Sequence, residues 1–306
     1  MNNPEDPERN LGLGDVRQSR WRRALCDQMD EADQTGKVYE FRQYVLIMTT
    51  MVGLHHTMLQ LSFLTVGCSF SEGVLIMVLM IKILIKLEIF GCHTLTAKCL
   101  TSVATECVHL ENLNIGRIPK ATDLCLAKIA SHLHKITTLN LTGLNVVRDR
   151  AVHHIVKQCS KLENLSLSTC LQVTDVSLVE ISTYRTTIKY LDLSGCKKVS
   201  DIGIQALARS CLQLRYLDLS STNTGKRGVC LLASYCYATL ECLKLSFCKE
   251  VPADAIEKLC MNCKRLKVLH LYGCRVSPDL GYLKKFSKSF QILHDLSIPA
   301  ANILGE

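Results

Sequence analysis

The chain has 306 residues, 48% hydrophobic and 21% charged, with 36 Lys and Arg against 28 Asp and Glu for a formal net charge of +8. That length can bury a large core. The modest basic surplus is scattered in pairs such as Lys197-Lys198, Lys226-Arg227, Lys264-Arg265 and Lys284-Lys285, not gathered into the aromatic-interleaved stripe that nucleic-acid binding requires.

Residues 1–44 are charged, with Arg20-Trp21-Arg22-Arg23 followed by Asp27, Asp30, Glu31 and Asp33, and show no apolar period of helix length. They read as a disordered tail or truncated domain. Residues 45–83 are apolar, and Val74 to Ile85 runs VLIMVLMIKILI. A membrane span needs about 20 largely uncharged residues, whereas Lys82 interrupts this run and Lys86 and Glu88 follow it. The preferred reading is a degenerate repeat around Leu61, Leu64 and Val66, ending in Gly67-Cys68, that caps a stack. A membrane anchor using residues 74–90 is the rival.

From residue 84 onward the spacing L-x-x-L-x-L returns every 26 residues, at Leu84, Leu110, Ile136, Leu162, Ile188, Leu214, Leu240 and Leu266, with a last copy at Leu293, one residue late. A fixed period of this size means a solenoid of stacked units, here residues 84–306. In the copy from Leu162, the alternation of Leu165 and Leu167 predicts a short strand with both leucines inward. Cys170 and the turn Val173-Thr174-Asp175 follow. Leu178 and Ile181 then stand three apart, as one buried face of a short helix requires. The equivalent helix pairs are Leu100 and Val103, Leu126 and Ile129, Val152 and Ile155, Ile204 and Leu207, and Ile256 and Leu259, and the sixth copy weakens to Cys230 and Ala233.

Asp123, Asp149, Asp175 and Asp201 each precede a predicted helix, where a carboxylate accepts the orphan N–H groups of its first turn. They read as caps of those helices, since catalysis does not need one copy per repeat. Other groups with chemical potential also have ordinary readings. Cys260 and Cys263, with His270 and Cys274 nearby, have zinc-like spacing, but Cys263 and Cys274 hold ordinary repeat positions and His270 faces away. The His55-His56 and His153-His154 pairs lack a ligand partner at helical spacing. The loop Ser221 to Arg227 lacks the first glycine and the final hydroxyl of a phosphate cradle. No catalytic residue, metal or cofactor is expected.

Cys107, Cys159, Cys211 and Cys263 open repeats, and Gly91-Cys92, Gly195-Cys196 and Gly273-Cys274 close strands, so the unit reads C-x-x-L-x-x-L-x-L-x-G-C-x-x-V-[ST]-D. This unit resembles the cysteine-containing class of leucine-rich repeat. That class occurs in F-box/leucine-rich-repeat proteins, the substrate receptors of SCF ubiquitin ligases, and in Amn1-type mitotic regulators. The resemblance implies an α/β fold, a right-handed leucine-rich-repeat horseshoe with parallel strands on the concave face and helices outside. About half of the 17 cysteines occupy repeat positions, where free thiols behave as small buried hydrophobes. The polar, acidic start from Met1 to Asn10 has no signal peptide, so a reducing cytoplasmic or nuclear setting is expected.

The residues flanking the inward leucines project from the concave sheet. In the early copies they are small and polar: Asn112, Asn114, Thr138, Asn140, Asn164 and Ser166. From the fifth copy they become Tyr190, Asp192, Tyr216, Asp218, Lys244, His270 and Tyr272. With strands about 4.8 Å apart, Tyr190 and Tyr216 should lie side by side with Asp192 and Asp218 as a parallel acidic pair, a slot for a partner carrying Lys or Arg. The expected function is protein recognition on this face, as substrate-binding subunit or regulator of SCF-type ubiquitin ligation. Skp1 and cullin would be partners if an F-box is present in the complete protein; the opening leucine-proline pattern of an F-box is not found in residues 1–44. An Amn1-like binding regulator without a ligase role is the alternative.

Overall fold

The computed structural model describes residues 63–65, 84–185, 187–274 and 291–293. Their strands form one parallel sheet in strict chain order. The strands are β1 (Phe63–Thr65), β2 (Lys86–Glu88), β3 (Asn112–Asn114), β4 (Thr138–Asn140), β5 (Asn164–Ser166), β6 (Tyr190–Asp192), β7 (Tyr216–Asp218), β8 (Cys242–Lys244), β9 (Val268–His270) and β10 (Gln291–Leu293). A helix follows each of β2 to β8: α1 (Ala97–Glu106), α2 (Asp123–His132), α3 (Asp149–Gln158), α4 (Asp175–Tyr184), α5 (Asp201–Ser210), α6 (Lys226–Tyr235) and α7 (Ala253–Asn262). This is an α/β leucine-rich-repeat solenoid.

The pairing is in register throughout, with the central residue of each strand opposite the next: Leu165 faces Leu191, Leu191 faces Leu217, and Leu217 faces Leu243. Each unit puts the three apolar residues of its strand motif into the interior, as Ile188, Leu191 and Leu193 do around β6, all fully sealed. Burying each such side chain is worth roughly 1.5–3 kcal/mol, and no unit could bury its own without a neighbour. Helix pairs such as Leu178 with Ile181 and Ile204 with Leu207 close the interior from the other side.

The sixth copy departs from the expectation. Its helix α6 begins at Lys226, so Val229 and Leu232 fill the core positions, and Cys230 is only half-buried. The loop before α6 is one residue shorter than its neighbours, which shifts the helical face by one.

The aspartates depart from it too. Asp149, Asp175 and Asp201 are first residues of their helices, and their carboxylates bond to the next repeat instead of capping their own turn. Asp149 accepts from the Thr174 N–H at 2.9 Å and its hydroxyl at 2.8 Å. Asp175 accepts from the Ser200 N–H at 2.7 Å and its hydroxyl at 2.6 Å, and Asp201 from the Gly225 N–H at 2.7 Å. The caps proper are the preceding hydroxyls, since Thr174 accepts from the Val176 N–H and Ser200 from the Ile202 N–H. Each carboxylate thus fastens its repeat to the start of the next helix. The close approach explains a glycine inside α5: a Cβ on Gly203 would stand 2.6 Å from Asp175 Oδ1.

After each strand from β2 to β9 one residue takes the left-handed conformation: Gly91, Arg117, Gly143, Thr169, Gly195, Ser221, Phe247 and Gly273. Half of them are not glycine, despite a cost near 1–2 kcal/mol each. The side chains of Arg117, Thr169 and Phe247 extend along the stack into the space over Gly143, Gly195 and Gly273, where a Cβ would meet them at 3.0, 3.0 and 2.5 Å. A large residue at this turn therefore requires glycine at the following one.

The cysteines also form ladders. Cys170, Cys196, Cys248 and Cys274 donate their thiols to Leu141, Leu167, Leu219 and Leu245 carbonyls at 3.1–3.3 Å. Cys107, Cys159, Cys211, Cys236 and Cys263 stand at helix C-caps. Burial pushes the Cys159 thiol up to about 11 and the Cys196 and Cys211 thiols to about 12, so they stay protonated and inert.

At the ends of the sheet, β1 pairs with β2, with Leu64 opposite Leu87. Residues 84–90, the last part of the proposed anchor, hold β2 and its flanks, with Leu84, Leu87 and Ile89 buried in the stack; residues 74–83 lie outside the described residues, as do residues 1–44. The last strand is Gln291–Leu293, with Ile292 opposite Leu269, so the copy expected to start at Leu293 is misplaced in register. Pairing with β9 sets that register, and Ile292 takes the leucine position.

Candidate functional site

Side chains on the open face of the sheet divide into two groups. On β3 to β5 they satisfy one another. Thr137 donates to Asn112 Oδ1 at 3.3 Å, Asn164 Nδ2 to Thr138 Oγ1 at 2.9 Å, and the Thr142 and Ser166 hydroxyls are bonded at 2.9 Å.

On β6 and β7 the face changes. The Tyr190 and Tyr216 rings stack with centroids 4.1 Å apart and planes 10° from parallel. In-register pairing of the two strands produces this, because it places the tyrosines one strand spacing apart. Lys244 from β8 closes the far side of Tyr216, with Nζ 5.1 Å from the ring centroid, and also pairs with Asp218 at 3.6 Å. The order along the stack is therefore Tyr190, Tyr216, Lys244.

Asp192 and Asp218 sit beside the rings as a cross-strand pair. One oxygen of each is used locally: Asp192 Oδ1 accepts from the Ser194 N–H and Asp218 Oδ1 from the Ser220 N–H, both at 2.9 Å. Asn140 makes the same turn with the Thr142 N–H at 2.9 Å, so this column has a structural duty in both halves of the sheet. The second oxygens diverge. Asp218 Oδ2 meets Lys244, and Asp192 Oδ2 accepts from Ser166 Oγ at 3.2 Å on the opposite side. Like charges on adjacent strands repel, and the divergence relieves this.

Burial raises the Asp192 carboxyl above its ordinary range and the Asp218 charge adds to this, while bonds from Ser194 and Ser166 draw it back. Burial likewise raises the hydroxyls of both tyrosines. Both are neutral at physiological pH, presenting uncharged plates.

His270 is the strand neighbour of Lys244. Its Nε2 is enclosed without a hydrogen-bond partner among the described residues, and burial, then Lys244, lowers its basicity. Tyr272 lies one column away, its ring edge-on to Phe247 at 5.0 Å. Sequence reading missed Phe247, which is half-exposed at a left-handed turn. The signal was there: Phe247-Cys248 stands where other units have Gly-Cys. Tyr190, Asp192, Tyr216, Asp218 and Lys244 thus form one contiguous group, His270 adjoins it, and Tyr272 with Phe247 forms a second aromatic spot.

The groups considered for catalysis or metal have ordinary places. Cys260 and Cys263 are buried thiols raised to about 12 by burial. His153 on α3 bonds Glu180 on α4 at 2.8 Å. Gly225 caps α6, and Lys226 pairs with Asp254. Among the described residues no cluster of three or more His, Cys, Asp or Glu is arranged to hold a metal, and no helix is long and apolar enough to cross a membrane.

Comparison with known proteins agrees with the geometry. Residues 185–208 match the leucine-rich-repeat family model. Among solved structures, internalin C2 of Listeria monocytogenes is similar with TM-score 0.52 and 20% identity, over 74% of this chain and 84% of that one. The yeast Rad7 and Elc1 complex gives a TM-score of 0.43 at 15% identity, over 93% of this chain and 98% of that one. No curated protein sequence matches the chain.

Proposed function

We propose that this leucine-rich-repeat protein recognises a protein partner on the open sheet face of repeats five to eight, and that it serves SCF-type ubiquitin ligation as a substrate-binding subunit or regulator. The observation that carries the recognition reading is the stacked Tyr190–Tyr216 pair, flanked by Asp192, Asp218 and Lys244, next to strands β3 to β5, which carry small polar groups. Tyrosine offers large contact area with few rotamers to freeze, and so concentrates binding energy at interfaces.

The ligase assignment is supported by the cysteine-containing repeat unit, which resembles that of F-box/leucine-rich-repeat receptors. On this reading the chemistry belongs to partner enzymes, and the chain works in a reducing cytoplasmic or nuclear compartment. Skp1 and cullin are direct partners only where an F-box accompanies the repeats. The test is affinity capture from cells, scored for Skp1, cullin and ubiquitinated proteins, with a Tyr190→Ala/Tyr216→Ala variant in parallel. A ligase receptor loses ubiquitinated targets in the variant and keeps any Skp1. An Amn1-like regulator captures a partner that depends on the tyrosines, with no ligase component and no ubiquitination.

A further inference from the structure

The stack of plates on the sheet face is capped at one end only. Tyr216 is covered by Tyr190 on one side and by the Lys244 ammonium on the other. Tyr190 is covered by Tyr216, and its other face, toward β5, has no aromatic or cationic neighbour among the described residues. The strand neighbour on that side is Asn164, whose amide donates to Thr138 on the strand beyond.

Charge shows the same asymmetry. Lys244 is the counter-ion of Asp218. Asp192 has bonds from Ser194 and Ser166 only, and no basic group pairs with it among the described residues. Its outer oxygen, Oδ2, leans toward Ser166 and therefore lies on the same side as the uncovered face of Tyr190. The acid is nonetheless half-enclosed and sits beside a second acid. A cation placed over Tyr190 would relieve both penalties at once.

We infer that this position takes an arginine side chain from the partner, its guanidinium flat on the free face of Tyr190 and bonded to Asp192 Oδ2. The inference rests on the recognition reading above and names the chemistry of the partner at that site. Lys244 provides the intramolecular pattern at the other end: one cation lies over Tyr216 and pairs with Asp218, the aspartate two residues after that tyrosine. Arginine fits the vacant end better than lysine does. Its planar fork stacks on an aromatic ring and supplies several donors in one plane. The surroundings are rich in acceptors, with the Asp192 carboxylate, the Ser166 hydroxyl and the Asn164 side-chain carbonyl, which takes no hydrogen bond among the described residues.

The test uses the full chain and a phage-displayed library of random dodecapeptides, followed by synthetic versions of the selected sequences. Selected peptides should share an arginine, and changing it to citrulline, which keeps the shape and removes the charge, should weaken binding about tenfold or more. Arginine to lysine should weaken it less. In the protein, Asp192→Asn keeps the Ser194 turn acceptor and should leave the melting midpoint unchanged, yet lose the same factor. Citrulline should then cost markedly less in that variant, because the ion pair it removes is already gone and only the attraction of the charge to the Tyr190 ring is left to lose. Tyr190→Phe should bind as the parent does and Tyr190→Ala should not. Peptides that need Tyr190 but tolerate citrulline would overturn the arginine assignment while leaving recognition on this face intact. Peptides indifferent to Tyr190→Ala and Tyr216→Ala, or no selected peptide at all, would overturn both readings.

Discussion

Repeats two to four and repeats five to eight share one interior and differ on the sheet face. Leu165 and Leu191 are equally sealed, and Asp149 in the first group and Asp201 in the second each fasten their repeat to the next. On the face, however, Asn112, Thr138, Asn164 and Ser166 bond to neighbouring strands, whereas Tyr190, Tyr216, Asp192 and Lys244 form a stacked and charged group. A column that repeats faithfully serves the stack. The column whose chemistry changes partway along is free to serve something else.

The comparison breaks first on the core. Leu165→Asp and Leu191→Asp each bury an unpaired charge and should cost several kcal/mol in urea unfolding. Equal damage in the two halves is expected; a tolerant Leu165 site would mean the interiors differ after all. Asp192→Asn, next to Leu191, should leave the midpoint in place.

Alkali probes the interior of both halves together. A thiol in the unfolded chain has its ordinary value of 9.0, and burial raises Cys159 to about 11 and Cys196 to about 12. The folded state therefore holds these protons longer. Their stabilisation is fully present below pH 9 and is lost as pH rises toward 12, by up to about 1.4 kcal/mol per thiol per pH unit. Urea midpoints should fall over that window, and the fall should be shallower in a Cys159→Ala/Cys196→Ala variant than in the parent. Parallel slopes would contradict burial of these thiols.

The seams between repeats come next. Asp149→Ala and Asp175→Ala should each cost about 1–3 kcal/mol by stranding the N–H and hydroxyl of the following cap, and Asp201→Ala in the later half should cost less because it strands an N–H alone, all measured by urea unfolding. Asp254, exposed and paired with Lys226, should be replaceable without effect. Gly203→Ala sharpens the point by its sign. In an open helix the change would gain about 1 kcal/mol; here its methyl would meet Asp175 Oδ1, so stability should fall by about 1 kcal/mol or more. In an Asp175→Ala background the penalty should shrink sharply.

Much of this was legible because two periods, two residues along a strand and 26 along the chain, fix which side chains point inward. The side-by-side tyrosines follow from the same arithmetic. What spacing conceals is the choice between equivalent neighbours. Asp175 stands just as close in sequence terms to its own helix N-terminus as a cap would, and only the stacked backbone shows it reaching Ser200. The missing residue before α6 moved Val229 and Leu232 into the core without disturbing the leucine count. At the site, sequence placed Asp192 and Asp218 together but not the divergence of their outer oxygens, nor Lys244 over Tyr216, since both depend on side-chain rotamers.

The central claim, that recognition resides in the later half of the sheet face, is tested most directly by matched double variants compared in cells by quantitative proximity labelling. One carries Tyr190→Ala/Tyr216→Ala and the other Asn112→Ala/Thr138→Ala, both first verified as folded. The account predicts that labelled partners disappear in the tyrosine variant and persist in the asparagine–threonine variant. Partners that persist in the first and disappear in the second would contradict it.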